Sequence, residues 1–367
     1  MANALRGPCV APKAVVDFLL ELKETGFLLM ERVSRMNKFI GALLAVLILS
    51  CSPWLPHAQP DPGDPEVVQV VPNFYLIAGA GGNIAVQTGP DGVVLVNAGA
   101  ADMSSKVLAS IRKLTAQPIR YIINTSADPD NIGGNASLSK AGQSFTQAGN
   151  TGPGGLAAAG PANILAYESV LDRMSAPTGK QAAYPFEAWP TETFASKQKT
   201  MYVNREGIRA MYQPAAHSDG DVMVFFRRSD VLVTGDILDT TRFPVIEVDR
   251  GGTIQGEIDA LNRIVEIAIP SIPLVWQGAG TWVVPGHGRI CDQADVVEYR
   301  DMITVIRDVV QDMIQRGMTL DQIQAANPTA GYRKRYGADS GPWTTAMFVE
   351  AIYKTLTGNN KNLTANK

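Results

Sequence analysis

The sequence predicts an α/β sandwich in which two mixed β-sheets pack face to face and helices cover their outer faces. The first observation is a run of apolar segments, beginning at Val67, that Gly-rich and Pro-Asp-Gly turns separate. The second is a strand–helix–strand unit at 93–123, and the third is another β-rich region after residue 198. Because both regions are followed by helices, the chain is expected to form four layers, αβ/βα.

The first half of the predicted sandwich opens with strands. The segment 93–96 is continuously apolar, as expected of a strand that is buried on both faces. Apolar residues at helical spacing predict an amphipathic helix near 103–115, and Pro118 ends it. The strands predicted in this half are 67–71, 74–78, 84–88, 93–96 and 119–123.

Residues 142–200 are rich in loops, with one predicted helix near 165–174. Beyond them, strands are predicted within 199–214, 221–228, 230–236 and 281–288, and helices near 255–269, 293–316 and 343–356. We therefore expect a sandwich domain over 67–300 and a C-terminal helical extension, packed on that domain, over 301–367.

Composition excludes several classes of protein. With 46% hydrophobic and 18% charged residues, the chain is globular rather than disordered. A formal charge of −3 provides no basic face for nucleic acid. The only cysteines, Cys9, Cys51 and Cys291, allow no disulfide framework. A small molecule is the expected partner.

The N-terminal region reads as a targeting segment. Residues 36–58 predict a signal peptide, since a lysine near Met36 is followed by a short apolar run and then by Ala58 as a cleavage site. Residues 1–35 are interpreted as an upstream extension, with Met36 as the true start, and 59–66 as a linker. Cleavage would give a soluble periplasmic protein. The alternative is a lipid anchor at Cys51, and only these two features would contact a membrane.

Polar residues cluster where predicted strands end. The segment "INTSADPDNIGGN" brings Asp128 and Asp130 directly after the strand at 119–123. His217 precedes a strand, whereas Asp236 and His287 stand at the ends of two others. Groups at strand ends are held by a rigid scaffold but face a cleft, as metal ligands and catalytic groups require.

These segments together resemble the metallo-β-lactamase fold over roughly residues 67–300. The opening strands "NFYLIAGAGGNIAVQTGPDGVVLVNAG" resemble those of the family, and "YIINTSADPDNIGGN" resembles its first metal motif. "HSDGDVMVFF", "VLVTGDIL" and "VVPGHG" resemble the second, third and fourth motifs, and "RFPVIEVDRGGTIQGEIDAL" resembles a segment of the branches that are not lactamases.

The departures from the family pattern fall on the ligands. The family's first motif is His-x-His-x-Asp-His, whereas the corresponding positions here are Ser126, Asp128, Asp130 and Asn131. Asn97 also stands where the family usually has an aspartate. We interpret Ser126, Asn131 and Asn97 as residues that face the substrate or support the ligands.

The resemblance implies metal ligands at Asp130, Asp236 and His287, with Asp128 and His217 remaining from the other metal position. Two carboxylates and one imidazole suffice for a catalytic metal. Clustered carboxylates also repel one another unless a cation neutralises them. One divalent ion is expected rather than two, with zinc favoured and manganese or iron as alternatives.

The resemblance further implies an exported metal-dependent hydrolase that cleaves an ester, lactone, thioester or amide bond with a metal-activated water. Asp130 is the candidate general base, and Asp128 is the alternative. Activity should fall below about pH 6 because a protonated imidazole cannot bind metal. The competing hypothesis is a metal-poor, non-catalytic ligand-binding protein on the same fold.

Overall fold

The computed structural model of the protein describes residues 63–145, 160–179, 181–271 and 280–364, with side chains up to 358. The predicted upstream extension, the signal peptide with Cys51, and the linker up to residue 62 lie outside the described residues. In the described ranges, no helix combines the length and the apolar character that crossing a membrane requires.

The first half of the chain builds a seven-stranded sheet and a small hairpin. The strands are β1 (Glu66–Val71), β2 (Phe74–Ala80), β3 (Gly82–Gly89), β4 (Gly92–Val96), β5 (Ile119–Ile123), β6 (Asn163–Tyr167), β7 (Pro177–Thr178), β8 (Gln181–Ala182) and β9 (Glu192–Phe194). The sheet order is β1-β2-β3-β4-β5-β6-β9, and β7 pairs only with β8. Pairing is antiparallel from β1 to β4 and parallel from β4 to β9.

The second sheet has five strands in the order of the sequence. They are β10 (Gln198–Val203), β11 (Glu206–Gln213), β12 (Asp221–Phe226), β13 (Val231–Asp239) and β14 (Trp282–His287). The last pair, β13 and β14, is parallel and the others are antiparallel. A helical crossover joins the parallel pair, as parallel strands require.

Helices cover the outer faces of both sheets. They are α1 (Ser104–Leu114), α2 (Pro129–Ile132), α3 (Asn135–Ala141), α4 (Glu168–Ser175), α5 (Ile254–Ile267), α6 (Gln293–Gln315), α7 (Leu320–Ala325), α8 (Arg333–Tyr336) and α9 (Thr345–Thr364). Helices α5, α6 and α9 pack on the second sheet, whereas α1 packs on the first.

Three apolar clusters fill the spaces between the four layers of the sandwich. Between the sheets, Phe74 of β2 meets Phe226 of β12 edge to face, with ring centroids 4.8 Å apart. Val107 of α1 packs on the outer face of the first sheet, and Leu261 of α5 with Met302 of α6 packs on that of the second. The predicted four-layer α/β sandwich is therefore confirmed, and its two inner sheet faces form the central core.

Two details differ from the sequence prediction. The helix predicted near 165–174 is wrong over its first residues, because β6 extends to Tyr167 and α4 begins at Glu168. The apolar run of β6 is short and buried, and periodicity alone cannot distinguish such a run from a helix. The boundary placed between residues 300 and 301 falls inside α6, in which Tyr299 and Met302 share one core cluster.

Candidate metal centre

A rigid loop presents the acidic residues that follow β5. Asn124 and Asn135, at the two ends of this loop, are fully buried and exchange side-chain hydrogen bonds of 3.0 and 2.9 Å. Between them lies Gly134, at which a Cβ atom would be only 2.3 Å from the carbonyl oxygen of Ala98. The asparagines and the Gly-Gly pair of the motif therefore fix the path of the loop.

His217 lies in the turn between β11 and β12 and is almost fully buried. Its Nδ1 is 2.7 Å from the carbonyl oxygen of Val245. Since a carbonyl can only accept, Nδ1 carries a proton. Its Nε2 lies 2.6 Å from Oδ2 of Asp128, whose Oδ1 is 3.3 Å from Nη1 of Arg250. The imidazole is thus held with Nε2 towards the acidic loop.

Asp236 lies within β13, directly after Gly235. Gly235 has a φ of 56°, and a Cβ atom there would be 2.5 Å from Oγ1 of Thr125. Only glycine tolerates both the left-handed backbone and this close approach. The strand therefore comes close enough for Oδ2 of Asp236 to accept hydrogen bonds from Nδ2 of Asn131 at 2.6 Å and Oγ of Ser126 at 3.1 Å.

His287 ends β14 and lines the same cavity. Its Nε2 is 3.0 Å from Oδ2 of Asp130 and 3.7 Å from Oδ1 of Asp236. The Asp130 side chain is 32% exposed, whereas that of Asp236 is 9% exposed. The imidazole of His287 therefore lies between a carboxylate at the opening and one at the base.

The structure brings the predicted site residues to one place but groups them unevenly. One donor atom each from Asp128, His217 and Asp236 lies within 4.8 Å of the others. Across the parts of the chain that the structure describes, no other three His, Cys, Asp or Glu side chains meet that limit. The donor atoms of the set that the sequence favoured, Asp130, Asp236 and His287, lie farther apart and do not all meet this limit.

These residues line a cavity of about 350 Å³. Its lining comprises Asp128, Pro129, Asp130, His217, Asp236, Asp239, Arg242, Val245, Glu247 and His287. Five of these residues are acidic, whereas only one arginine and two histidines offset them. Carboxylates crowded in this way repel one another, so the cavity favours a bound cation.

Asp128 and His217 form a strongly coupled ion pair. Burial alone would raise the pKa of Asp128, but hydrogen bonds from His217 and Ser126 and the charge of Arg250 lower it to about 2. Burial would lower the pKa of His217, yet its hydrogen bond to Asp128 and the charge of Asp221 raise it well above the usual value. Without a metal, His217 therefore holds a proton at neutral pH.

Two further predicted ligands, Asp236 and His287, hold their protons more tightly than usual. Burial raises the pKa of Asp236 to about 6; the charge of His217 opposes this increase and that of Asp128 adds to it. The hydrogen bond with Asp130 raises the pKa of His287, although burial opposes the change. A cation at this centre would thus replace protons.

Comparison with known proteins identifies the fold family. Residues 70–287 match the metallo-beta-lactamase superfamily. The chain belongs to this superfamily. The matched span runs from β1 to His287 and contains every predicted metal-site residue, in agreement with the resemblance of the motifs.

The relatives include two kinds of alkylsulfatase. A linear primary-alkylsulfatase of Pseudomonas sp. (strain ATCC 19151) is 25% identical over 304 residues, which cover 73% of this chain and 54% of that protein. A stereoselective inverting sec-alkylsulfatase from Pseudomonas sp. superposes with a TM-score of 0.54 and 13% identity, over 79% of this chain and 50% of that one. A double mutant of a sec-alkyl sulfatase superposes with a TM-score of 0.56 and 13% identity, over 82% of this chain and 52% of that one.

The chain therefore spans about half the length of these relatives. At such low identity, the structural matches show the fold alone. Membership of the superfamily supports metal-dependent hydrolysis as the general chemistry of the chain.

The donor set fits the divalent metal that this superfamily typically binds. Two carboxylates and one imidazole, Asp128, Asp236 and His217, would hold the ion and leave a position open. The contact between Nδ1 of His217 and the carbonyl oxygen of Val245 is the support that metal-binding imidazoles usually have, because it fixes the tautomer.

The predicted supporting residues differ in their distance from the cluster. Ser126 and Asn131 contact the metal-site carboxylates; Oγ of Ser126, for example, is 3.1 Å from Oδ2 of Asp128. Asn97 lies behind them and has a φ of 67°. Its Oδ1 accepts hydrogen bonds from the backbone nitrogen and Oγ1 of Thr125 at 2.9 and 3.0 Å. Asn97 therefore supports the loop rather than the ligands themselves.

Sequence reasoning missed the charged residues that follow β13. Oε2 of Glu247 is 3.8 Å from Nε2 of His217, and both oxygens of Glu247 accept from Nη1 of Arg250. Arg242 contacts Asp239 at 2.7 Å. All of them except Asp239 belong to the segment "RFPVIEVDRGG", which the motif comparison had marked. Its density of charge was the signal that could have placed them at the site.

Proposed function

We propose that the chain is a metal-dependent hydrolase that cleaves an ester-type bond in a small molecule. The observation that carries this proposal is the close grouping of Asp128, His217 and Asp236 at the base of an acidic cavity. A divalent metal bound there supplies a Lewis acid and lowers the pKa of a water molecule. We favour one zinc ion, with manganese or iron as alternatives that an oxygen-rich donor set tolerates.

The surrounding side chains have different roles in the proposed reaction. Asp128 stays ionised and its oxygens contact His217 and Arg250, so it is better suited to hold a metal than to take up a proton. His287 lines the cavity and is 3.0 Å from Asp130. We assign proton transfer to this pair, in which His287 exchanges the proton and Asp130 orients and stabilises the charged imidazole.

The relatives' names suggest a substrate class. Two proteins that resemble this chain are named as alkylsulfatases, so a sulfate ester is the first candidate. Carboxylic esters, lactones, thioesters and amides are the further candidates. Because the cavity is acidic, it should accept an anionic substrate only after a cation has offset the carboxylates.

We also propose that the protein is exported, as the predicted signal peptide at 36–58 indicates. It would be periplasmic after cleavage at Ala58, or lipid-anchored if Cys51 is acylated. Mass spectrometry of the mature N-terminus distinguishes these forms. A mature chain that begins at residue 1 would contradict both.

Metal analysis combined with a substrate panel tests the hydrolase proposal. Purified protein should hold one zinc ion per chain and hydrolyse at least one nitrophenyl sulfate or carboxylate ester, and EDTA should abolish that activity. Asp236→Ala should lose both the metal and the activity. Asp259→Ala, which alters a solvent-exposed residue of α5, is the matched control and should retain both. Hydrolysis that persists without metal would contradict the proposal.

A ligand-binding role without catalysis is the second candidate. It is favoured by the contacts of His217 with Asp128 at 2.6 Å and of His287 with Asp130 at 3.0 Å. These pairs neutralise part of the acidic cavity without a metal. A binding protein would show saturable ligand binding that survives Asp236→Ala and His287→Ala, and no hydrolysis with any metal.

A further inference from the structure

A second cavity lies beside the metal cavity and has a volume of about 520 Å³. One of its walls is the segment 245–250, and the other comes from residues within 342–354, most of which belong to α9. Val245 and Glu247 line both cavities, so the two share a wall. The second cavity is within the range of about 300–1,000 Å³ that small-molecule sites usually have.

The two cavities differ in the chemistry of their linings. Seven of the twelve residues that line the second cavity are apolar, whereas only two of the ten around the metal cavity are. Trp343 and Met347 are the largest apolar side chains of the second cavity, and Met347 is 39% exposed. Covering such apolar surface with an apolar ligand removes it from water and is therefore favourable.

The charged side chains of the second cavity largely neutralise one another. Nη1 of Arg250 is 3.0 Å from Oε2 of Glu247, and Nζ of Lys354 is 2.8 Å from Oε1 of Glu350. Among the described residues, neither cation of this lining is left without a carboxylate partner. The second cavity is therefore not suited to an anion, and its chemistry favours an uncharged apolar group.

Hydrogen bonds fix the shared wall to one of the metal-site residues. The carbonyl oxygen of Val245 accepts from Nδ1 of His217 at 2.7 Å, and the backbone nitrogen of Glu247 donates to the carbonyl oxygen of His217 at 2.9 Å. Arg250, which lines the second cavity, also contacts Asp128 at 3.3 Å. A group that occupies the second cavity is therefore held at a defined position relative to the metal centre.

We propose that the second cavity binds the apolar group of the substrate whose ester bond is cleaved at the metal centre. This proposal rests on the proposed hydrolase function and defines the substrate class as amphiphilic esters. The polar ester group binds in the acidic cavity, and the apolar group attached to it crosses the shared wall. Trp343 and Met347 are then specificity-determining residues, and the C-terminal helix α9 is part of the substrate site.

Nitrophenyl acetate, butyrate and octanoate test this proposal because they share one leaving group and differ only in the length of the apolar chain. With the metal-loaded enzyme, kcat/KM should rise by up to about fourfold for each methylene that becomes buried, mainly through a lower KM. Ethyl, butyl and octyl sulfate serve in the same way if the enzyme prefers sulfate esters. A kcat/KM that does not rise with chain length would overturn the proposal.

Met347→Trp places a larger side chain in the second cavity without altering the metal cavity. The ratio of kcat/KM for octanoate to that for acetate should fall by about tenfold or more, because several methylenes lose their burial. Val305→Trp is the matched control, since Val305 is an exposed apolar residue of α6 that lines neither cavity. This control should keep the ratio. An unchanged ratio in Met347→Trp, or an equal fall in both variants, would overturn the proposal.

The remaining outcomes separate this proposal from the proposed function. Metal-dependent hydrolysis without any dependence on chain length would leave the proposed function in place and overturn the subsite. If no ester or sulfate is hydrolysed, the proposed function fails, and calorimetric titration with octanol tests the cavity directly. Saturable binding that Met347→Trp weakens would support the subsite, and no binding would overturn it.

A second copy of the chain is the other possible occupant of this cavity. Light scattering of the wild-type protein and of Met347→Trp distinguishes it from substrate. A dimer that Met347→Trp separates, together with an unchanged ratio of the two esters, would assign the cavity to an interface between copies and overturn the proposal.

Discussion

Metal affinity should depend steeply on pH, because the ion must displace protons from two of its ligands. The hydrogen bond with Asp128 raises the pKa of His217 well above its usual value against the opposing effect of burial, and burial raises that of Asp236 to about 6. Each ligand that must lose a proton changes the apparent affinity about tenfold per pH unit below its pKa. The affinity should therefore rise about a hundredfold per unit below about pH 6 and about tenfold per unit above it, until His217 has lost its proton.

Competition with a chromophoric zinc chelator over about pH 5 to 9 measures this dependence. His217→Gln should weaken binding at every pH and remove the tenfold slope above about pH 6, because glutamine has no proton to lose. Asp236→Asn should remove the additional slope below that pH. A wild-type affinity that changes less than about tenfold over the whole range would refute the assignment of the ion to this cluster.

Three further predictions concern stability. In the metal-free protein, the raised pKa values of His217 and Asp236 mean that the folded state binds their protons more tightly, so stability should fall as pH rises through those values. The lowered pKa of Asp128 acts in the opposite direction below about pH 4, whereas Asp236 already lowers stability as pH rises from about 4 to 6, so urea unfolding should show a maximum near about pH 4. Glu257 is fully buried and both of its carboxyl oxygens lack partners, so Glu257→Leu should raise the free energy of unfolding by about 1–3 kcal/mol; a decrease would show that the carboxyl has a partner. Gly235→Ala should lower it by about 1–3 kcal/mol and weaken zinc binding, because a Cβ atom there collides with a threonine of the acidic loop; unchanged thermal unfolding would contradict this.

Much of the fold follows from the sequence because its strands are short apolar runs between strong turn signals. The continuous run at 93–96 predicted a strand buried on both faces, and β4 is buried along its whole length. The prediction failed at 163–167, where the apolar run is equally compatible with a strand or a helix. Only pairing with β5 and β9 decides that this segment is a strand.

The positions of most site residues could also be predicted, because they stand beside strand ends; the strand end predicted at Asp236 is wrong, because β13 continues to Asp239. Which of these side chains contact one another could not be predicted. Asp128 and Asp130 are two residues apart in one loop, yet Asp128 contacts His217 and Asp130 contacts His287. Asp128 precedes the short helix α2 and Asp130 lies in its first turn, a local geometry that no periodicity encodes.

The sequence by itself determined the order of strands and helices, the acidic loop with its asparagine and glycine frame, and the residue types offered to a cation. The tertiary structure decided that Asp128, His217 and Asp236 form the closest set of donors, and that Glu247 and Arg250 border it. The physical reason is distance along the chain. His217 and Asp236 reach the loop from the second sheet, and the separation of their atoms from Asp128 is set by how the two sheets pack.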